Sequence, residues 1–318
     1  MPAATLWRMA KVRRHPRMPW LALIDLGDAV TGLEDFLCAY VLRFERTALV
    51  DVGPARGIPV LLDGLRMLGV SPEEVAYVLT THIHLDHGGG VGTALRHLPN
   101  AAAVAHPSAS GHLERPWKLW ESSLRTLGGL AEAYGQPEPV PPERLLGAEE
   151  GMKLDLGDGE IEVLLTPGHA PHHVSFMERR ERVLLAGELA GVHARGIRRP
   201  ATPPPLYLEQ QLDSMERAFA LGPSVLCYGH YGWESKGESR LRAHRRQLLR
   251  WRDLVDEGLR AGLGREEMAG ELVRQDRALR WLADLPEAQY RREMDFILNS
   301  VAGFTSHLER AGLSASSH

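Results

Sequence analysis

The segment Thr81-His82-Ile83-His84-Leu85-Asp86-His87-Gly88-Gly89-Gly90 packs three imidazoles and a carboxylate into six consecutive positions. Imidazole nitrogen and carboxylate oxygen are the donor set for zinc, and also for iron or manganese. The segment follows the apolar run Val75-Ala76-Tyr77-Val78-Leu79, which reads as a buried strand. His82 and His84 are two residues apart, so an extended backbone points both to one side. Asp86 and His87 fall where the chain bends toward a helix, so one short stretch offers donor pairs to two neighbouring metals. Glycines at 88–90 remove Cβ bulk where backbone must pass close behind the donors.

Fifteen histidines in 318 residues make an isolated H-x-H pair unremarkable. H-x-H-x-D-H directly after a strand is far less common by chance, and three downstream segments agree with it. Thr166-Pro167-Gly168-His169 follows Ile161-Glu162-Val163-Leu164-Leu165, Gly187-Glu188 follows Val183-Leu184-Leu185-Ala186, and Gly229-His230 follows Ser224-Val225-Leu226-Cys227-Tyr228. Each candidate donor sits just past an apolar run, where α/β folds tend to place their chemistry.

Together with Leu49-Val50-Asp51-Val52-Gly53-Pro54, these motifs resemble the metallo-β-lactamase-fold hydrolase superfamily between residues 35 and 232. The resemblance implies an α/β fold, a four-layer αβ/βα sandwich, here followed by a helical C-terminal module. It implies two divalent metal ions, with zinc the first expectation and iron or manganese the alternatives. His82, His84 and His169 would hold the first ion, Asp86, His87 and His230 the second, and Glu188 would bridge. The family usually has aspartate at the bridge. Glutamate keeps the charge but is one methylene longer, which would change the metal separation or the metal preference. The implied activity is hydrolysis by a metal-bound hydroxide, with Asp86 also able to accept its proton. Asp51 matches the family's structural aspartate behind the metal loop, and His173 a histidine that supports the fold around the site.

Among substrates, a small ester, thioester or lactone comes first. The metal motifs are similar to those of hydroxyacylglutathione hydrolase-like proteins, but the basic glutathione-binding tail has no counterpart. A phosphodiesterase or RNA endonuclease is the alternative, suggested weakly by His244-Arg245-Arg246-Gln247. Di-iron redox relatives typically carry Glu in place of the second His; His84 stands there, which disfavours that branch.

Composition sets the outer limits. With 44% hydrophobic and 25% charged residues the chain is ordinary globular protein, and a net charge of -4 disfavours a general nucleic-acid coat. Cys38 and Cys227 are no disulfide framework and fit a reducing, cytoplasmic setting. No apolar run reaches the ~18 residues of a membrane span. Met1–Trp20 carries Arg8, Lys11, Arg13, Arg14 and Arg17 without an apolar stretch, so no signal peptide is expected. Few lysines and asparagines with 21 prolines suggest a thermophile, and equally a GC-rich genome.

The elements that would position the donors follow from periodicity. Strands are expected at 36–42, 47–52 and 101–105, and helices at 58–68, 89–97 and 206–220. A helical pattern over 113–134 and the Pro-rich 135–142 make a lid or a plain surface helix. Asp155-Leu156-Gly157-Asp158-Gly159-Glu160 marks a hairpin, and 188–205 reads as irregular. Beyond residue 232 the pattern turns helical at 241–259, 265–282 and 287–310. Residues 1–232 are therefore expected to form the catalytic domain and 233–318 a helical module. On the first of these helices His244 and the arginines read as an exposed, charge-paired face.

Overall fold

A computed structural model describes residues 10–27, 30 and 35–315, grouped in two compact units. The reading of the N-terminus falls partly on residues 1–9, and that of the short tail partly on 316–318, both outside the described residues.

The first unit comprises Met1–Leu165, Val174–Arg180 and Gly229–Gly232. Its larger sheet runs in chain order, β1 (Lys11–Arg14), β2 (Leu21–Asp25), β3 (Cys38–Arg43), β4 (Thr47–Val50), β5 (Val75–Leu79), β6 (Ala102–Ala105) and β7 (Leu145–Gly147). The first four are antiparallel and β4 to β7 parallel. Strands β2 to β4 are buried almost throughout, which is why they read as unbroken apolar runs. Helices α1 (Ile58–Leu68) and α2 (Val91–His97) make the parallel crossovers. Helix α1 ends where expected, at Gly69 in the left-handed conformation (φ 72°).

The expected 113–134 helix is broken into α3 (Ser110–Glu114), α4 (Trp117–Leu127) and α5 (Gly129–Tyr134). Pro116 at the first break lacks an N–H, and Gly128 at the second has φ 53°. Helix α4 buries none of its residues, and Trp117 is half exposed. The hairpin signal is correct: β8 (Lys153–Asp155) pairs antiparallel with β9 (Glu160–Leu165), and Asp155 accepts the Gly157 N–H at 2.8 Å. Strand β10 (Val174–Glu178) continues this sheet against β9.

The second unit holds Thr166–His173, Glu181–Tyr228 and Trp233–His318. Here β11 (Val183–Leu185) runs parallel to β14 (Val225–Cys227), which pairs antiparallel with β15 (Trp233–Ser235). Residues 188–205 are not irregular throughout. They contain the hairpin β12 (Val192–Ala194) and β13 (Ile197–Arg199). Its two turn residues, Arg195 (φ 48°) and Gly196 (φ 83°), both take positive φ, as a tight two-residue hairpin requires. Arginine at the first of these positions hid the signal.

Four helices complete this unit, α6 (Leu208–Ala220), α7 (Gly237–Arg260), α8 (Arg265–Gln275) and α9 (Glu287–Ala315). Helix α8 stops well short of the expected residue 282. Asp276 terminates it by accepting the Ala278 N–H at 2.9 Å, and its other oxygen takes Trp251 Nε1 and Gln247 Nε2, each at 2.7 Å. Arg199 of β13 donates to Glu293 of α9 at 2.6 Å, both fully buried. Burial alone would raise the Glu293 carboxyl, but Arg199 and Arg292 outweigh it and hold it below its ordinary range.

The arginines of α7 mostly behave as expected, pairing with Glu234, Glu238, Glu216, Asp253 and Asp256. His244 does not. It is only 6% exposed, on the buried stripe Leu241, His244, Leu248, Trp251 and Val255, whose spacing by three and four is that of a core-facing helix side. Its polar type concealed that position. Burial, above all, lowers its pKa from 6.5 to about 4; Gln247 and Asp276 pull weakly the other way. A histidine buried neutral stabilises the fold fully above pH 6.5, and that contribution disappears as pH falls through 6.5 toward 4. The expected loss is about 3 kcal/mol. Urea unfolding at pH 7.5 and 4.5 should show a smaller acid loss in His244→Gln than in the native chain; identical losses would refute the assignment.

No helix among the described residues is long and apolar enough to cross a membrane. Both cysteines are buried, and neither forms a disulfide.

Candidate metal centre

The loop between β5 and α2 carries His82, His84, Asp86 and His87 in the first unit. Its tight path depends on the three glycines. A Cβ at Gly88 would lie 2.9 Å from the His82 carbonyl oxygen, and one at Gly89 would lie 2.4 Å from that of Leu85. No side chain fits at either position.

Asp51, at φ 51° just beyond β4, organises the imidazoles. Its Oδ1 accepts the Thr81 N–H at 2.8 Å, and its Oδ2 accepts the Thr81 hydroxyl at 2.7 Å. The Thr81 hydroxyl has then spent its one proton, so it accepts from His82 Nδ1 at 3.0 Å. The carboxylate also takes a proton from His87 Nδ1 at 3.0 Å. One buried carboxylate thereby places the Nδ1 proton on two rings and leaves Nε2 of each with its lone pair, the form that binds a metal. The His82 ring lies 4.6 Å from that of His84 and 4.3 Å from that of His87.

His230 belongs to the same unit. Its ring packs 4.5 Å from Phe36 and 5.1 Å from His87. The loop that carries it is tied down by the Tyr40 hydroxyl, which donates to the Gly232 carbonyl. Asp86, His87 and His230 each bring one ligand atom within 4.8 Å of the others, a geometry able to hold a metal ion.

In the second unit His169 and Glu188 come together. His169 Nδ1 donates to the Ala201 carbonyl at 2.9 Å, so its Nε2 carries a lone pair. That Nε2 stands 2.6 Å from Glu188 Oε2. Two acceptors this close require a shared cation, a proton or a metal ion. Two contacts set the Glu188 turn. His173 Nε2 accepts the Glu188 N–H at 3.0 Å, which puts its own proton on Nδ1, donated to Thr166 Oγ1 at 2.8 Å. Gln211 of α6 donates to the Glu188 and Leu189 carbonyls at 3.4 and 3.2 Å. Gly168 lets α6 approach, since a Cβ there would lie 2.5 Å from Gln211 Cα.

His173 is thus a supporting residue, as expected, and Asp51 a positioning one. His106 and His112 take no part in these clusters; His106 accepts the Ser108 N–H at 3.2 Å. His193 lies against the Tyr228 ring at 5.1 Å. The Ala201 carbonyl, Gln211 and Tyr40 escaped sequence reasoning. They come from segments far from any motif, and a backbone carbonyl has no residue-type signature.

A family description for the metallo-β-lactamase superfamily matches residues 38–230. The chain belongs to the metallo-β-lactamase superfamily. Its fold is accordingly the α/β, four-layer αβ/βα sandwich of that superfamily, with a helical C-terminal region. Among its relatives, a metallo-β-lactamase fold-containing protein, ST1585 of Sulfurisphaera tokodaii, is 26% identical over 81% of this chain and 94% of its own length. The crystal structure of ST1585 superposes with a TM-score of 0.58 at 27% identity, over 68% of this chain and 81% of that one. A family protein from Thermus thermophilus, TTHA1429, is similar in fold over 95% of this chain and 93% of its own, with a TM-score of 0.64 and 21% identity. The N-acyl homoserine lactonase AttM of Agrobacterium fabrum is 32% identical over 37% of this chain and 41% of its own length. The chicken acyl-coenzyme A thioesterase MBLAC2 is 29% identical over 54% of this chain and 66% of its own. The likeness to hydroxyacylglutathione hydrolases is not supported by these relatives.

Proposed function

We propose that the chain is a dinuclear metal-dependent hydrolase acting on a small ester, thioester or lactone. In this reading, which follows the family's ligand pattern, His82, His84 and His169 hold one ion and Glu188 bridges, while Asp86, His87 and His230, which lie together in the first unit, hold the second. Zinc fits the imidazole-rich donor set, with iron or manganese the alternatives. Residues 1–232 would carry the chemistry and 233–318 form the helical module. One observation carries the reading above all: Asp51 locks His82 and His87 in the tautomer that exposes the ligating nitrogen. A histidine kept only for packing needs no such arrangement.

When bound, the ions would polarise the substrate carbonyl and acidify a water molecule near neutral pH. The protein's own groups divide the remaining work. Asp86, partly exposed on the metal loop, takes up the proton released on attack. His169 and Glu188 hold their positions through Ala201, His173 and Gln211. The lactonase and thioesterase relatives support acyl over phosphoryl substrates. A phosphodiesterase or RNA nuclease is the second reading, resting on the arginines of α7.

The deciding experiment is metal analysis of protein purified without chelators, with activity measured on esters, thioesters, lactones, phosphodiesters and RNA. Protein devoid of transition metal, or turnover confined to the phosphorus substrates, would reject the proposal. Glu188 gives a separate prediction. Glu188→Gln removes the negative charge between two cations, so metal content should fall from two ions per chain toward one. Glu188→Asp should keep both ions and change metal preference. Unchanged stoichiometry and rate in the Gln variant would mean that Glu188 does not bridge.

A further inference from the structure

The second unit contains a cavity of about 310 Å³ that the metal chemistry does not use. Its size is at the lower end for small-molecule sites. Four arginines line it, Arg198 from β13 and Arg240, Arg246 and Arg250 from α7. Arg246 and Arg250 are exposed and follow Arg242 at intervals of four along α7, but Arg242 and Arg252 pair locally with Glu238 and Asp253 and do not line the cavity. Ala190, Ala243 and Ala278 add small walls, which keep the interior open.

The charge in this cavity is not balanced. Glu234 accepts from Arg198 at 3.1 Å and lies 3.2 Å from Arg240, so one carboxylate serves two guanidinium groups. Glu234 also accepts the Tyr228 hydroxyl at 2.7 Å. Burial, then Glu234, pushes that phenol far up, so it remains a neutral donor. Arg250 donates to the uncharged amide of Gln275 at 2.6 Å, and Arg246 has no ion-pair partner among the described residues. Asp276, the cavity's own carboxylate, is fully engaged by Gln247, Trp251 and the Ala278 N–H. Buried His244 is neutral near pH 7 and adds no charge. Four fixed cations therefore face two carboxylates already taken up in hydrogen bonds. Guanidinium groups are planar, stay charged, and bind phosphate through paired N–H donors.

We propose that this cavity binds a small phosphorylated molecule by its phosphate group. Arg246 and Arg250 would be the principal contacts, because neither is neutralised by a carboxylate. Two uncompensated positive charges match a phosphate monoester dianion better than a single carboxylate. Ala190 lies two residues from Glu188, within the turn closed by the Gly191 N–H to the Glu188 carbonyl at 3.1 Å. Ligand in the cavity would therefore touch the turn that carries a candidate metal ligand, although the pocket is defined by its own residues and does not depend on that assignment.

The test is isothermal titration of the full chain with inorganic phosphate, glycerol phosphate and acetate at constant ionic strength. Both phosphates should bind and acetate should bind at least tenfold more weakly. The double variant Arg246→Gln/Arg250→Gln should weaken phosphate binding at least tenfold, while Arg242→Gln, on the same helix but paired outward with Glu238, should leave it unchanged. Binding should persist in His84→Ala, which separates the cavity from the metal centre. The inference fails if phosphate binds no better than acetate, if the double variant binds as the native chain does, or if Arg242→Gln loses binding equally. It also fails if His84→Ala abolishes phosphate binding, which would assign the anion to the metals.

Discussion

His84→Ala and His169→Ala should each remove turnover by about a thousandfold or more, the scale of losing a principal electrostatic stabiliser of a transition state. In the proposed first site each supplies one imidazole. A substitution of either leaves too few neutral nitrogen donors to hold a divalent ion tightly. The second cluster, Asp86, His87 and His230, keeps all its donors. Metal content should therefore fall from two ions to about one, not to none. The two measurements belong together: mass-spectrometric metal analysis and kcat on whichever acyl substrate the panel yields. His169→Ala also loses the hydrogen bond to the Ala201 carbonyl, so thermal unfolding must confirm an intact fold. Full metal content with normal kcat in either variant would exclude that residue from the site.

The clustering of the candidate donors at 82–87 was legible in the sequence because these residues are local. His82, His84, Asp86 and His87 fall within six residues after a strand, and a structure can do little with such a segment except place the donors side by side. Helix α1 was legible for a similar reason, with apolar periodicity inside it and a glycine stop just after it. What could not be read came from long-range partners. The buried side of α7 depends on what packs against it, so His244 among arginines looked solvent-facing. The end of α8 depends on Asp276 meeting Trp251 and Gln247, which lie 25 and 29 residues earlier. The β12–β13 hairpin was hidden by an arginine in a conformation that usually selects asparagine or glycine. Periodicity and residue type report local preference; caps and polar burial are settled by groups brought in from elsewhere.

Asp51→Asn should cost about 10–100-fold in metal affinity although Asp51 touches no metal in the proposed site. Three donors converge on its carboxylate, the Thr81 N–H, the Thr81 hydroxyl and His87 Nδ1–H. An aspartate can accept all three; an asparagine has one accepting oxygen and an NH₂ that can only donate. If the amide oxygen stays on the Thr81 N–H, the NH₂ faces His87 Nδ1. That ring must then move its proton to Nε2, the nitrogen a metal would need. If the amide is turned over, the NH₂ faces the Thr81 N–H, and two donors collide. Asparagine tolerates the positive φ at this position, so backbone strain does not confuse the outcome. Stability should fall by about 1–3 kcal/mol, the cost of an unsatisfied buried donor. A purely structural aspartate would produce that loss as well, so the discriminating readout is the His87 tautomer. Long-range ¹⁵N–¹H NMR of the apo protein should show the proton on Nδ1 in the native chain and on Nε2, or exchanging between the two, in the variant. Lower stability with an unchanged tautomer and unchanged zinc affinity would reduce Asp51 to a packing residue and remove the main support for a metal at His87.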